Sequence, residues 1–303
     1  MEIKMLRPQG YCAGVITALN KIKEIAKTEK KVYLLGMLIH NKDVCNALET
    51  LGITIIDDQN KTRLELLDMI PNDATVCFTA HGVSDAVYEK ALQKNLKIYD
   101  LSCIHVLEVK NLCKKFLQDG YEILYIGKKG HPEAEGILGL SNKIHLITNK
   151  NDLQKIKINC QKIIITNQTT LSIFDCEEIY DAAKLIFPEI KYLNKICNAT
   201  TIRQEAVLNQ DLCDLCIVVG DKLSSNTQKL MKVSTHKGIN TILVENLLDL
   251  DINLLYNVHK VNITSGASTC KNAVLAIVKF LENFDYDKIE THDKTPYLSY
   301  EVL

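Results

Sequence analysis

The chain has 303 residues, enough for two or three domains, with 47% hydrophobic and 24% charged residues and a formal net charge of −1. No basic surplus points to nucleic acid, and no acidic block points to a solvated tail. The opening MEIKMLRPQG lacks the apolar centre of a secretory signal, and the longest apolar runs, such as 215–220, are only strand length, so no membrane span is expected. Eleven cysteines in such a chain are expected as thiols in a reducing cytoplasm, with no disulfide framework.

In chain order, the first pattern is helical: Val15, Ile16, Leu19, Ile22 and Ile25 recur at helical spacing. Short β-branched runs then predict strands at 31–36, 75–80, 121–127, 162–167, 215–220 and 260–266, with amphipathic helical stretches between them. Such alternation predicts α/β units with parallel sheets covered on both faces.

A longer period overlies this one. Cys12, Cys103 and Cys197 each open a helical run, and each is followed 23 or 24 residues later by a glycine at a strand end, Gly36, Gly127 and Gly220. His40, His131 and Ser224 stand at one common offset past those glycines, and a later strand in each third runs into a polar loop, "TAHG", "TNQTT" or "TSGAS". The expectation is three similar α/β modules, 1–102, 103–196 and 197–284, followed by a C-terminal tail at 285–303. Mainly parallel sheets in a pseudo-threefold trefoil around a central cavity would bring the strand-end loops, and with them the three cysteines, together.

A cysteine at a helix N-terminus favours the thiolate, and three converging thiolates require a soft metal centre. Zinc with one further ligand and an iron–sulfur cluster with one iron free of protein thiolate both suit three such ligands. The local pair Cys213 and Cys216 leads straight into an apolar strand and is expected to be structural, as are Cys45, Cys77, Cys113, Cys160 and Cys176. His40, His81, Ser224, Ser225, Asn226 and Ser268 all follow strand ends and make a phosphate-binding set without lysine. No P-loop and no GxGxxG at a first helix implies a nucleotide. In "GHPEAEG", His131 and Glu133 share one turn at a helix start, where the carboxylate can move protons or simply match the helix dipole. Thr169 and Thr170 in "NQTTLS" are hydroxyl donors or helix caps.

Together "GYCAGV", "LGMLIHN", "FTAHGVS", "DLSC", "GHPEAEG", "NQTTLS", "NATTIRQ", "VVGDKLSSN" and "SGAS" resemble the 4-hydroxy-3-methylbut-2-enyl diphosphate reductases, the LytB family, in family order from about residue 7 to about residue 270. The resemblance implies a [4Fe-4S] cluster on Cys12, Cys103 and Cys197 with one open iron. It implies diphosphate binding by His40, His81, Ser224, Asn226 and Ser268, with Ser225 beside them. His131, Glu133 and Thr169 would serve the substrate hydroxyl and its protons. The implied reaction is reductive removal of the allylic hydroxyl as water, giving isopentenyl and dimethylallyl diphosphate in the last step of the methylerythritol phosphate pathway. Ferredoxin or flavodoxin would supply electrons. The chain departs from the family pattern at Ser102 and Ile104 around the second cysteine, at Asn198, and at Cys270. A non-redox hydratase or dehydratase using the same cluster, and a non-catalytic iron–sulfur sensor, are the competing expectations.

Overall fold

The computed structural model describes all residues except 59 and 159. Strands and helices alternate along most of the chain, with only 3-10 turns between β7 and β8 and between β11 and β12. The first third holds β1 (Glu2–Met5), α1 (Ala13–Thr28), β2 (Val32–Leu35), α2 (Lys42–Thr50), β3 (Ile53–Ile56), α3 (Arg63–Asp68), β4 (Thr75–Phe78), α4 (Asp85–Gln93) and β5 (Lys97–Asp100). The middle third holds α5 (Ile104–Gln118), β6 (Glu122–Ile126), α6 (Pro132–Leu138), β7 (Ile144–Ile147), β8 (Ile163–Asn167), α7 (Ile173–Ile186) and β9 (Lys191–Leu193). The last holds α8 (Asn198–Leu208), β10 (Leu215–Val219), α9 (Ser225–His236), β11 (Thr241–Val244), β12 (Lys260–Ser265) and α10 (Lys271–Asn283).

The strands make three parallel four-stranded sheets, ordered β3-β2-β4-β5, β7-β6-β8-β9 and β11-β10-β12-β1. The order is one pattern repeated, and in the last sheet its fourth place is filled by the N-terminal strand, with Met5 beside Ile263. The three parallel α/β modules expected from the alternation are therefore present. The chain divides into two compact units. Unit 1 comprises Met1–Ile16, His40–Ala47 and Asn198–Leu303 and carries the sheet of β1 and β10–β12. Unit 2 comprises Thr17–Ile39 and Leu48–Cys197 and carries the other two sheets.

The sequence picks out six strands, and they are the two central strands of each sheet: β2 and β4, β6 and β8, β10 and β12. Covered on both faces, these become continuous apolar runs; β4 and β10 are buried at every position. Helices seal them. Leu66, Leu67 and Val87 pack with Leu35, Val76 and Phe78, while Val274, Ile277 and Phe280 of α10 cover Ile217, Val219 and Ile263. In α1 the buried stripe is Val15, Ala18, Leu19, Ile22 and Ile25; Ile16, assigned to that stripe from its spacing, is exposed.

The landmark glycines follow from crowding at the strand ends. Gly36 has φ +90°, and an added Cβ would meet the Arg63 guanidinium at 1.6 Å. Gly220 has φ +147°, and a Cβ there would lie 2.5 Å from Thr269 Oγ1 and 2.7 Å from Thr227 Oγ1. The tail is anchored within unit 1. Tyr297 and Leu298 pack on its core, and the Tyr11 hydroxyl donates to the Val302 carbonyl at 2.8 Å. No helix among the described residues is long and apolar enough to cross a membrane.

Candidate functional site

Each of the three landmark cysteines stands immediately before a helix: Cys12 before α1, Cys103 as N-cap of α5, Cys197 before α8. Each is half-buried. Their backbone N–H groups make the same bond in all three modules. Cys12 donates to Ala267, Cys103 to Ala80 and Cys197 to Thr169, each at 3.0 Å. Every acceptor lies two residues past the third strand of a sheet, in the polar loop that the sequence marks in each third. Of the other thiols, Cys45, Cys160 and Cys213 are also half-buried, while Cys77, Cys113, Cys176, Cys216 and Cys270 are buried. No disulfide joins any of the eleven cysteines, and burial pushes Cys77 and Cys113 up to about 12 and Cys216 to about 11, as befits thiols that pack as small hydrophobes. Cys270 donates through Sγ to the Glu301 carbonyl, a tail contact.

In unit 2, His131 caps α6 and Pro132 takes its first helical position, where the missing N–H costs nothing. His131 Nδ1 accepts the Glu133 N–H at 3.2 Å, so this tautomer carries its proton on Nε2. Glu133 is only 2% exposed. Its Oε1 accepts the Thr169 N–H and its Oε2 the Thr169 hydroxyl, both at 2.8 Å. Burial raises its pKa from 4.5 to about 7, against the opposing pull of the Thr169 bonds. Thr169 thus links the carboxylate on one side to Cys197 through its own carbonyl on the other. The His81 ring meets the His131 ring edge-on, with centroids 5.4 Å apart, and Ala80 beside it holds Cys103. His81, His131, Glu133 and Thr169 are therefore one group. The Thr170 hydroxyl accepts from Gln168 Nε2 at 3.2 Å.

In unit 1, Ser224 caps α9 by accepting the Thr227 N–H, and Ser268 Oγ donates to Ser224 Oγ at 3.3 Å. Asn226 is held at both ends of its amide. Its Nδ2 donates to Thr200 Oγ1, and its Oδ1 accepts the Ala267 N–H, the residue whose carbonyl holds Cys12. Ser225 opens α9 and is buried. His40 stands in this unit beside Asn41, whose Nδ2 donates to the Ser268 carbonyl at 2.9 Å. Neutral donors and a twelve-residue helix N-terminus suit an anion.

Several supports carry no obvious sign in the sequence. Arg203 of α8 is 2% exposed and donates to the Gly10 carbonyl at 2.7 Å and the Ala199 carbonyl at 2.9 Å, fastening the Cys12 loop to α8. Asn167 Oδ1 accepts the Lys195 N–H, and Gln168 Oε1 accepts the Lys128 N–H, fixing the loop that presents Thr169. A buried arginine in "NATTIRQ" and consecutive buried amides in "TNQTT" are the signals that could have exposed them.

Residues 3–282 match the sequence model of the LytB protein family. The chain belongs to the LytB family. Among its LytB relatives, a protein of an Exiguobacterium species is 39% identical over 306 residues, covering 98% of this chain and 96% of that one. One from a Geobacillus species is 41% identical over 291 residues, covering 94% and 91%. Both are named 4-hydroxy-3-methylbut-2-enyl diphosphate reductase. The solved E-1-hydroxy-2-methyl-but-2-enyl-4-diphosphate reductase of Plasmodium falciparum is 33% identical, with TM-score 0.88, covering 94% of this chain and 89% of its own. A second solved (E)-4-hydroxy-3-methyl-but-2-enyl diphosphate reductase, described as the terminal enzyme of the non-mevalonate pathway, is 28% identical with TM-score 0.65, covering 94% and 100%. Within this LytB chain, the repeated cysteine–loop bond is the feature by which the three modules converge on one design.

Proposed function

We propose that this chain reduces 4-hydroxy-3-methylbut-2-enyl diphosphate, adding two electrons and two protons, releasing the allylic hydroxyl as water and giving isopentenyl and dimethylallyl diphosphate. The observation that carries this reading is the equivalence of Cys12, Cys103 and Cys197, each before a helix and each tied by its N–H to a strand-end loop. Three half-buried thiols outside any disulfide fit a [4Fe-4S] cluster with one open iron. When bound, such a cluster supplies electrons and a Lewis-acidic position. Ferredoxin or flavodoxin delivers the electrons, in the reducing cytoplasm that eleven undisulfided cysteines suit.

The chain's own residues bind the substrate and hold the protons. Ser224, Ser225, Asn226 and Ser268, with His40 and His81, take the diphosphate through neutral donors and the start of α9. Glu133, with its pKa raised by burial to about 7, holds its proton well above the usual carboxylate range. That suits a general acid, whose ideal pKa lies near the working pH. The Thr169 hydroxyl, on Glu133 Oε2, is the relay toward the substrate oxygen, and His131 offers its Nε2–H to the same region.

The test is anaerobic turnover with reduced methyl viologen as electron source. Two equivalents of viologen oxidised per substrate consumed support the reductase; product without viologen oxidation assigns a non-redox dehydratase. Iron analysis and visible absorption of Cys12→Ser, Cys103→Ser and Cys197→Ser test the ligands. Each should lose the cluster, while Cys45→Ser and Cys213→Ser keep it; a cluster intact in any of the first three refutes that assignment.

A further inference from the structure

The end of β10 holds a carboxylate for which the reductase reading has no use. Asp221 follows Gly220 and is 5% exposed. One oxygen is occupied: Oδ1 accepts the Leu223 N–H at 2.6 Å. Its main-chain carbonyl accepts the N–H of Ser224, the cap of α9, at 3.1 Å. Oδ2 is buried and has no hydrogen-bond partner among the described residues. A buried carboxylate oxygen with neither donor nor counter-ion is among the most costly arrangements in a folded protein.

Asp221 lines a cavity of about 20 Å³ within unit 1, together with Asn41, Lys42, Asp43, Glu245 and Asn246. The two amide oxygens are already committed. Asn41 Oδ1 caps α2 through the Val44 N–H, and Asn246 Oδ1 accepts the Leu248 N–H. Three carboxylates remain, Asp43, Asp221 and Glu245, and none makes an ion pair with a described residue. Among the described residues, Lys42 is the one cationic side chain on the wall, and it is exposed. The wall therefore carries more negative than positive charge, around an oxygen that lacks a partner. The same carboxylate lies three residues before Ser224, one of a set of neutral anion-binding groups; the one cation between them, Lys222, is exposed to solvent. An uncompensated charge there opposes any anion that Ser224 and Ser268 hold.

We propose that this cavity is a divalent-cation site of the Mg²⁺ or Mn²⁺ class, with Asp221 Oδ2 as direct ligand and Asp43 and Glu245 reached through water. Hard carboxylate oxygens and water select such ions over thiophilic metals. The cation satisfies the orphaned oxygen and reverses the sign of the charge behind the Ser224 loop. It touches no reacting atom. By linkage, an anion at Ser224 and a cation at Asp221 strengthen each other's binding.

The test needs no turnover. Mn²⁺ is titrated into the full-length protein, and free Mn²⁺ is read by its electron paramagnetic resonance signal. Asp221→Asn is the discriminating variant because its side-chain oxygen still accepts the Leu223 N–H. The wild type should bind about one Mn²⁺ per chain, displaceable by Mg²⁺, and Asp221→Asn should bind it at least ~10-fold more weakly. Lys42→Met should tighten binding by removing a competing ammonium. Equal Mn²⁺ binding by wild type and Asp221→Asn overturns the proposal. So does weaker binding by Lys42→Met, or the absence of saturable binding in the wild type up to about 5 mM Mn²⁺.

Discussion

Replacing Glu133 by glutamine should make the protein's stability less sensitive to pH, by an amount the structure sets. Glu133 is buried, and its pKa is raised from 4.5 to about 7. Below pH 4.5 the folded and unfolded chains both hold the proton, and stability is complete. As pH rises, the unfolded chain gives up the proton first, and stability falls until the folded carboxyl also ionises near pH 7. The gap of about 2.5 pKa units corresponds to about 3 kcal/mol, nearly all of it lost by pH 8 and about 1 kcal/mol of it already lost at pH 5. The substituted glutamine has no proton to lose, and its amide oxygen still accepts the Thr169 N–H. Other titrating groups are common to both proteins and cancel in the difference. In anaerobic urea unfolding without substrate, the stability of Glu133→Gln relative to wild type should therefore rise by about 2.5 kcal/mol between pH 5 and pH 8. A relative stability that stays flat across that range refutes a neutral, buried Glu133. In turnover the same variant should bind substrate normally and fall by roughly 100-fold or more, the loss expected of a missing general acid.

Thr169→Val removes the hydroxyl bond to Glu133 Oε2 but keeps the N–H bond to Oε1. Losing a bond that favours the charged form moves the Glu133 pKa above its present value, so the alkaline limb of the pH–rate profile should shift upward, and turnover should drop about 10-fold. Arg203→Met leaves the buried Gly10 carbonyl without its donor; we expect a loss of about 2 kcal/mol in stability and faster bleaching of visible absorption in air than in wild type.

What was legible in the sequence follows burial. β2, β4, β6, β8, β10 and β12 announce themselves because helices cover both faces and every position can be apolar. The edge strands do not. β5 reads KIYD and β9 reads KYL, with exposed and half-buried positions, and neither has the clean alternation that marks a strand against one core. The site splits in the same way. Cysteines, histidines and Glu133 could be singled out by chemistry and spacing. The residues that hold them, Asn41, Gln168 and Arg203, act mainly through bonds to main-chain groups elsewhere in the chain, and no local pattern encodes such partners. Ile16 shows the converse error: a helical stripe marks the apolar face to within one residue, and the true edge of α1 is Ala18.

β1 is the most instructive of the hidden elements. EIKM alternates exposed and half-buried positions and lies at the opposite end of the chain from its partner β12. In the other two sheets the third strand is followed by a helix, α4 or α7, then by the fourth strand, then by the cysteine that opens the next module. In the remaining sheet β12 is followed by α10, the fourth strand is β1, and the cysteine after it is Cys12. The interruption of that third copy thus falls between α10 and β1, and the tail reaches back across it to place the Val302 carbonyl on the Tyr11 hydroxyl, one residue before Cys12. Equal cysteine spacing survives because the repeat closes through the pairing of β1 with β12 and not through the covalent chain.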